Sequence, residues 1–346
     1  MTLRRRPDGW RSLAGIAAIV GVVLFAWAIR SAGPHQVLDG VRRLGAGFVL
    51  VLALGGFRSL CRASAWRLAV EPPDHLPLSL ALAAFLAGDA IGNVTPFGFL
   101  ISEPSKVVFT GRQVSPRATI AGLTVENLAY SASVVLVLVA GTAALLLSFA
   151  VSGPLRIASL ATLAATGGAA LVTTWIVMRR RLVLSRAADW LIRWKVGGRY
   201  LEQRRDQIAG VEARVYGFAS RQPLRTILIA GSEAAYHLAA VAEIWTVLAL
   251  ITGTPPTLLE SFVLEYVNRA ITIGFQFVPM WLGVDEAGTS LLTGALGLGA
   301  ATGVSLALVR KARVAVWTAL GITLLVRRGL SVKTATDQAA STPFMR

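Results

Sequence analysis

The apolar run LSLALAAFLAGDAIGNVTPFGFLISEPSKVVFTG, residues 78–111, is long enough to cross a bilayer, yet its second half carries Pro96, Gly98, Glu103, Pro104 and Lys106. A membrane-spanning helix needs about 20 predominantly apolar residues in succession. Two prolines, an acid and a base rule out one continuous helix here, because proline removes a backbone donor and clashes with the preceding turn. Inside hydrocarbon, irregular backbone survives only where protein or a watery cavity satisfies its polar groups. A chain with this feature has few folds open to it: helices that cross the membrane, with a broken pair folded back among them.

The rest of the chain agrees with a membrane setting. It is 55% hydrophobic and only 15% charged, where a soluble domain carries about 25% charge. Apolar segments at 12–29, 44–60, 118–148, 155–178, 224–252 and 302–326 read as full spans, and 78–111 and 257–297 as interrupted ones. The short alternating segments of a β-barrel are missing. The net charge is +16. Its basic residues gather between apolar spans, the pattern of cytoplasmic loops rather than of a nucleic-acid surface. Residues 179–221 hold eleven Lys/Arg against four acids and read as a cytoplasmic loop. Trp190, Leu191 and Trp194 there would suit an interfacial helix, but the positive-inside rule alone explains the charge. The start, RRRPDGWR followed by Ser12–Ile29, reads as a first span rather than a signal peptide, since no small-x-small cleavage site follows. The resulting scheme puts both termini in the cytoplasm of a bacterial-type inner membrane, although Arg30, Arg42 and Arg43 then fall outside. Residues 1–330 form one membrane domain and 331–346 a disordered tail. One cysteine and three scattered histidines give no disulfide framework and no expected metal site.

A second stretch mirrors the first. TPFGFLISEPSKVV carries Pro96 and Glu103; VPMWLGVDEAGTSLL carries Pro279 and Glu286, and each acid follows its proline by the same interval (103 − 96 and 286 − 279). Pro96 with Gly98, and Pro279 with Gly283, are read as hairpin breaks. Ser102 is expected to cap a helix with Glu103 and Pro104 in its first turn, and Asp285 to cap one with Glu286. A helix over 102–111 would be about 15 Å long, half a bilayer. Three full spans separate the two hairpins, so they would enter from opposite faces. The expected fold is an all-α polytopic membrane protein: about six full transmembrane helices plus two re-entrant helical hairpins related as an inverted repeat. Mere kinks in packed helices are the simpler reading, but they would not require acids at matching positions.

These residues carry a resemblance. PFGFLISEPSKVVFTG followed by AGLTVENLAYSASVVLVLVAG, and VPMWLGVDEAGTSLLTGALGLGAATGVSLALVRKARVAVWTALG, resemble the two signatures of the flippase-like transmembrane family, which includes the membrane region of bacterial lysylphosphatidylglycerol synthase. The resemblance covers roughly residues 10–330. It implies translocation of lipid headgroups. Ser102, Lys106 and Asn127 depart from the family pattern, where Gly, Arg and Arg are usual; these leave the fold expectation intact and the headgroup open. The soluble aminoacyltransferase domain of the synthases is not found, so lipid aminoacylation by this chain is not expected.

Ionisable groups at membrane depth are costly and read as functional by default. Glu103, Glu126, Asp285 and Glu286 are candidate contacts for a cationic headgroup or for protons. Lys106, Arg310 and Arg313, with Arg269 and Lys311, are candidates for a lipid phosphate, which arginine's planar fork suits. Arg310 and Arg313 share a helical face, with Lys311 pointing elsewhere. For Glu126 two readings stand: cargo contact, or internal pairing of Glu126 or Glu286 with Arg310. Glu265 and Arg269 lie four apart and can pair. Glu233, His237 and Glu243 read as a polar seam between helices before a proton relay. Gly88 with Gly92, and Gly299 with Gly303, fit close helix packing. No Walker or GxSxG sequence appears, and no catalytic residue or cofactor is expected. The function expected is a translocase moving a charged-headgroup lipid through a polar cavity between the hairpins. Its cargo would be an anionic or aminoacylated phospholipid, or a polyprenyl-phosphate-linked lipid. A membrane-embedded transferase or an accessory protein of envelope-lipid synthesis is the other reading.

Overall fold

The computed structural model describes residues 30, 34–95, 98–111, 113–149, 153–178, 190, 193, 198–276 and 278–328. The expected first span at 12–29, the break residue Pro96, Leu191 and Trp194 of the basic loop, and the tail after 330 lie outside the described residues. Within them the chain is helical: α1 (Pro34–Leu44), α2 (Gly47–Ala69), α3 (Leu78–Val94), α4 (Phe99–Thr110), α5 (Pro116–Ser148), α6 (Pro154–Met178), α7 (Gly198–Arg221), α8 (Pro223–Thr252), α9 (Leu258–Gly274), α10 (Val284–Ala295) and α11 (Ala300–Arg327). Among the described residues α2, α5 and α8 are long and apolar enough to cross a membrane. Helix α11 is as long, with Arg310, Lys311 and Arg313 at its middle.

The two interrupted stretches both fold back on themselves. Helices α3 and α4 pack along each other. Their turn is tight because Gly98 lies against the Gly92 backbone, where a Cβ would overlap the Gly92 carbonyl. Helix α4 starts at Phe99, not at Ser102: the Gly98 carbonyl accepts from the backbone N–H groups of Ile101 (3.0 Å) and Ser102 (2.7 Å). The expected Ser102 cap is therefore corrected. Its hydroxyl instead reaches Asp89 Oδ1 at 3.4 Å. In the second pair, α9 and α10 are joined by the turn Pro279–Trp281, where Met280 and Trp281 both hold positive φ (52° and 51°). Gly283, with φ 81°, opens α10, and Glu286 Oε2 accepts its backbone N–H at 2.8 Å. So Glu286 satisfies the helix start, and Asp285 is not the expected cap. At 12 residues each, α4 and α10 extend about 18 Å, too short to span a bilayer.

Helix α2 outruns the apolar segment 44–60: it continues to Ala69 because Ala65, Trp66 and Ala69 extend its buried face. Arg58 and Arg62 therefore lie mid-helix, and Arg58 is only 9% exposed. The same layering recurs on the neighbouring helices. One apolar cluster takes Ala63 and Trp66 of α2, Leu123 of α5 and the α3–α4 pair. Another takes Val51 of α2, Val134 and Leu138 of α5, and Ile244 and Val247 of α8. Between them in sequence fall the charges Arg58 and Arg62 on α2 and Glu126 on α5; on α8, Glu233 and Glu243 fall between Ile229, of a third apolar cluster, and Ile244. The helices sort their residues into apolar ends and a charged middle.

Candidate functional site

A cavity of about 720 Å³ opens at that middle layer. Among the described residues, Arg58, Arg62, Arg269, Arg310, Lys311 and Arg313 line it, with Asp89, Glu103 and Asp285 as the acids. Of the residues singled out from the sequence, Glu103, Asp285, Arg310 and Arg313 stand in the wall, with Gly98 at the first break. Lys106, Glu126 and Glu286 lie behind it, each no more than 2% exposed.

At the first hairpin, the Lys106 ammonium bridges Glu103 (2.7 Å) and Asp89 (3.2 Å) and sits 3.8 Å from the centre of the Phe85 ring. Gly88 makes room for it, since a Cβ there would meet the Lys106 side chain. The two acids remain partly open, with side chains 35% and 50% exposed. Asn127 donates to Glu103 Oε2 at 2.8 Å, linking the hairpin to α5.

At the second hairpin, Asp285 is buried and held on several sides. Arg310 Nη2 donates to it at 2.7 Å, Thr289 at 3.1 Å and Asn268 at 3.3 Å. Lys311 does not point away. Its ammonium lies 2.9 Å from Glu286 and 3.6 Å from Asp285, because α10 packs along α11 and the long side chain reaches back. The partner of Arg310 is thus Asp285, not Glu126 or Glu286. Gly303 allows that packing; a Cβ there would strike the Thr289 carbonyl and the Ser290 backbone.

Of the central groups, the sequence reading named the acids with Arg269 and Arg313 and missed Arg58, Arg62, Tyr130 and Tyr236. Glu243 takes two guanidinium groups on one oxygen, Arg58 and Arg313, each at 3.0 Å. Arg58 also donates to the Tyr236 hydroxyl at 3.0 Å. Glu265 and Arg269 pair at 2.5 Å, one turn apart as their spacing implies, and Arg269 donates to the Tyr130 hydroxyl at 2.9 Å. Arg62 pairs with Glu126 and its guanidinium sits 3.6 Å from the centre of the Tyr130 ring. Arginines in the middle of an apolar helix were the available signal for Arg58 and Arg62.

One wall keeps donors to spare. Arg58 Nε, Arg310 Nε and Nη1, Arg313 Nε and the Trp317 indole N–H have no hydrogen-bond partner among the described residues. Gly55 and Gly56 of α2 leave the space into which Arg313 and Trp317 fold. Two guanidinium groups here share one carboxylate, so this wall carries an excess of donors and of positive charge. The opposite edge, at Asp89 and Glu103, offers open carboxylates.

A helical bundle with long apolar spans and a charged cavity at their middle defines a multi-pass membrane protein. Its sequence matches the model of the lysylphosphatidylglycerol synthase TM region over residues 12–321, and the chain belongs to that family. It is thereby a membrane protein of lipid metabolism, matched to the membrane region of those synthases. Neither the curated proteins nor the solved structures give a match.

Proposed function

We propose that the chain is a lipid translocase. The observation that carries this reading is the mid-depth cavity of about 720 Å³, with six basic and three acidic residues in its wall among the described residues. Charge at the centre of a span costs about 2.5–3.5 kcal/mol per group by insertion scales, so a whole layer of it is retained where it is used. The headgroup passes through the cavity while the acyl or polyprenyl chains stay in the bilayer. A phosphate suits the donors of Arg58, Arg310 and Arg313, and a cationic group suits Asp89 and Glu103. Anionic or aminoacylated phospholipids and polyprenyl-phosphate-linked lipids all fit that division. In this reading the two hairpins are re-entrant, enter from opposite faces as an inverted repeat, and let the cavity open to either side. They belong to one membrane domain, residues 1–330, of a cytoplasmic membrane with both termini inside.

The test is reconstitution into vesicles carrying headgroup-labelled lipids of each class, with a membrane-impermeant quencher outside. Protein-dependent loss of protected signal for one class, at least tenfold slower with Arg313→Gln or Glu103→Gln, is expected. Equal protection with and without protein for every class would overturn the reading. Product formed from a lipid and a donor instead would favour a transferase.

A further inference from the structure

The cavity wall leaves one acid of α8 unused. Glu233 is 2% exposed, and neither of its carboxylate oxygens has a hydrogen-bond partner. Arg62 Nε lies 4.0 Å from its Oε1. That guanidinium is already engaged, donating to Glu126 and to Asn127 Oδ1 at 3.3 Å. Glu126 is fully buried and has its second oxygen unmatched. Two buried carboxylates therefore compete for one guanidinium.

Among the described residues Arg62 alone ion-pairs with either carboxylate. On α4, Lys106 faces Glu126 but is held by Glu103 and Asp89. On α2, Arg58 shares Glu243 with Arg313. On α5, Tyr130 is spent on Arg269, which is itself neutralised by Glu265 of α9. On α11, Arg313 belongs to Glu243. On α8, His237 stands one turn beyond Glu233, with Nε2 3.0 Å from the Ser133 hydroxyl and Nδ1 without a partner. Two ionised carboxylates against Arg62 would leave a buried negative charge, worth several kcal/mol of desolvation. One proton removes it.

We infer that Glu126, Arg62 and Glu233 form a proton-binding site that holds one proton between its two carboxylates. The proton comes from water, makes an O–H bond on one glutamate, and returns to water on release; no electrons move. In this structure Glu126 holds Arg62, so Glu233 carries the proton. Moving the proton to Glu126 turns Arg62 toward Glu233, over the flat face of Tyr130. Arg62 lines the cavity and reaches Glu103 through Asn127. The site is thus wired to an acid of the cavity edge, and proton binding biases what that edge accepts. This coupling rests on the translocase reading; the proton site itself does not.

Infrared difference spectra of the purified full chain, recorded between acid and alkaline pH without added lipid, test it. A carbonyl band of a buried carboxylic acid is expected in the wild type. It is lost in Glu233→Gln and equally in Glu126→Gln, since either change leaves one acid against one base. It persists in Glu71→Gln, at an exposed ion pair with Arg221. No such band in the wild type, or an undiminished band in whichever of the two triad variants folds, overturns the site. A protein that moves no lipid yet shows the band would overturn only the translocase reading.

Discussion

The two hairpins use the same devices and place their charge differently. In α3–α4 the cation is internal: Lys106 neutralises Glu103 and Asp89 from within the hairpin, and both acids stay partly open. In α9–α10 the acids are buried, and their cations come from the next helix, Arg310 and Lys311 of α11. The first hairpin is therefore electrostatically self-contained, whereas the second is bolted to its neighbour. Their turns differ in the same sense. In the first, Gly98 packs against the Gly92 backbone, and Thr95 and Gly98 hold ordinary backbone angles. The second forces two bulky residues, Met280 and Trp281, into left-handed backbone. Of two structurally similar hairpins, one keeps its acids partly open at the cavity and the other buries its acids against the cations of the next helix.

The largest effect is expected where burial is deepest. Arg310→Leu removes the nearest cation of buried Asp285 and leaves it only Lys311, which is shared with Glu286; removing one partner of a buried pair costs about 3–5 kcal/mol. Thermal unfolding in mild detergent measures it. Asp285→Asn added to Arg310→Leu should recover part of the loss, because it removes the stranded charge. Full additivity of the two changes would show that the pair does not hold hairpin and helix together.

Lys106→Ala makes the matching cut in the first hairpin and should cost less, about 1–2 kcal/mol. Its acids are 35% and 50% exposed, so cavity water can solvate them once the ammonium is gone. A loss as large as that of Arg310→Leu would erase the contrast between the hairpins. The same change leaves two unpaired acids at the cavity edge, so it should strengthen retention of cationic amphiphiles on the purified protein.

The fold was legible where local chemistry decides it. Gly98 in the first pair, and Pro279 and Gly283 in the second, lie where the helices turn back, and the length of the apolar runs marked α2, α5 and α8 as candidate spans. Helix starts were less legible. Ser102 and Asp285 have good capping chemistry, but each spends its side chain on a tertiary partner, and backbone groups around Gly98 and Gly283 start the helices instead. The pairing of charges was the least legible part. Arg58 and Arg62 look like the end of a span when only the next few residues are considered. Their partners lie far off in sequence, Glu243 and Glu126. Lys311 shows the same limit: helical spacing separates it from Arg310, yet the hairpin folded along α11 is touched by both.

The smallest effect tests the tension in the second turn. A non-glycine residue in left-handed backbone costs about 1–2 kcal/mol. Met280→Gly removes that cost but loosens the unfolded chain and deletes a side chain from the cavity wall. The net expectation is a gain of about 0.5–1 kcal/mol in unfolding stability. If the strain has a use, this more stable protein should be a slower one, since strain at a functional turn raises the energy of the resting state and eases departure from it. Headgroup movement in vesicles and thermal stability should therefore change in opposite directions for this variant. A gain in both would make the turn a plain packing compromise, and the two hairpins would then differ in charge placement alone.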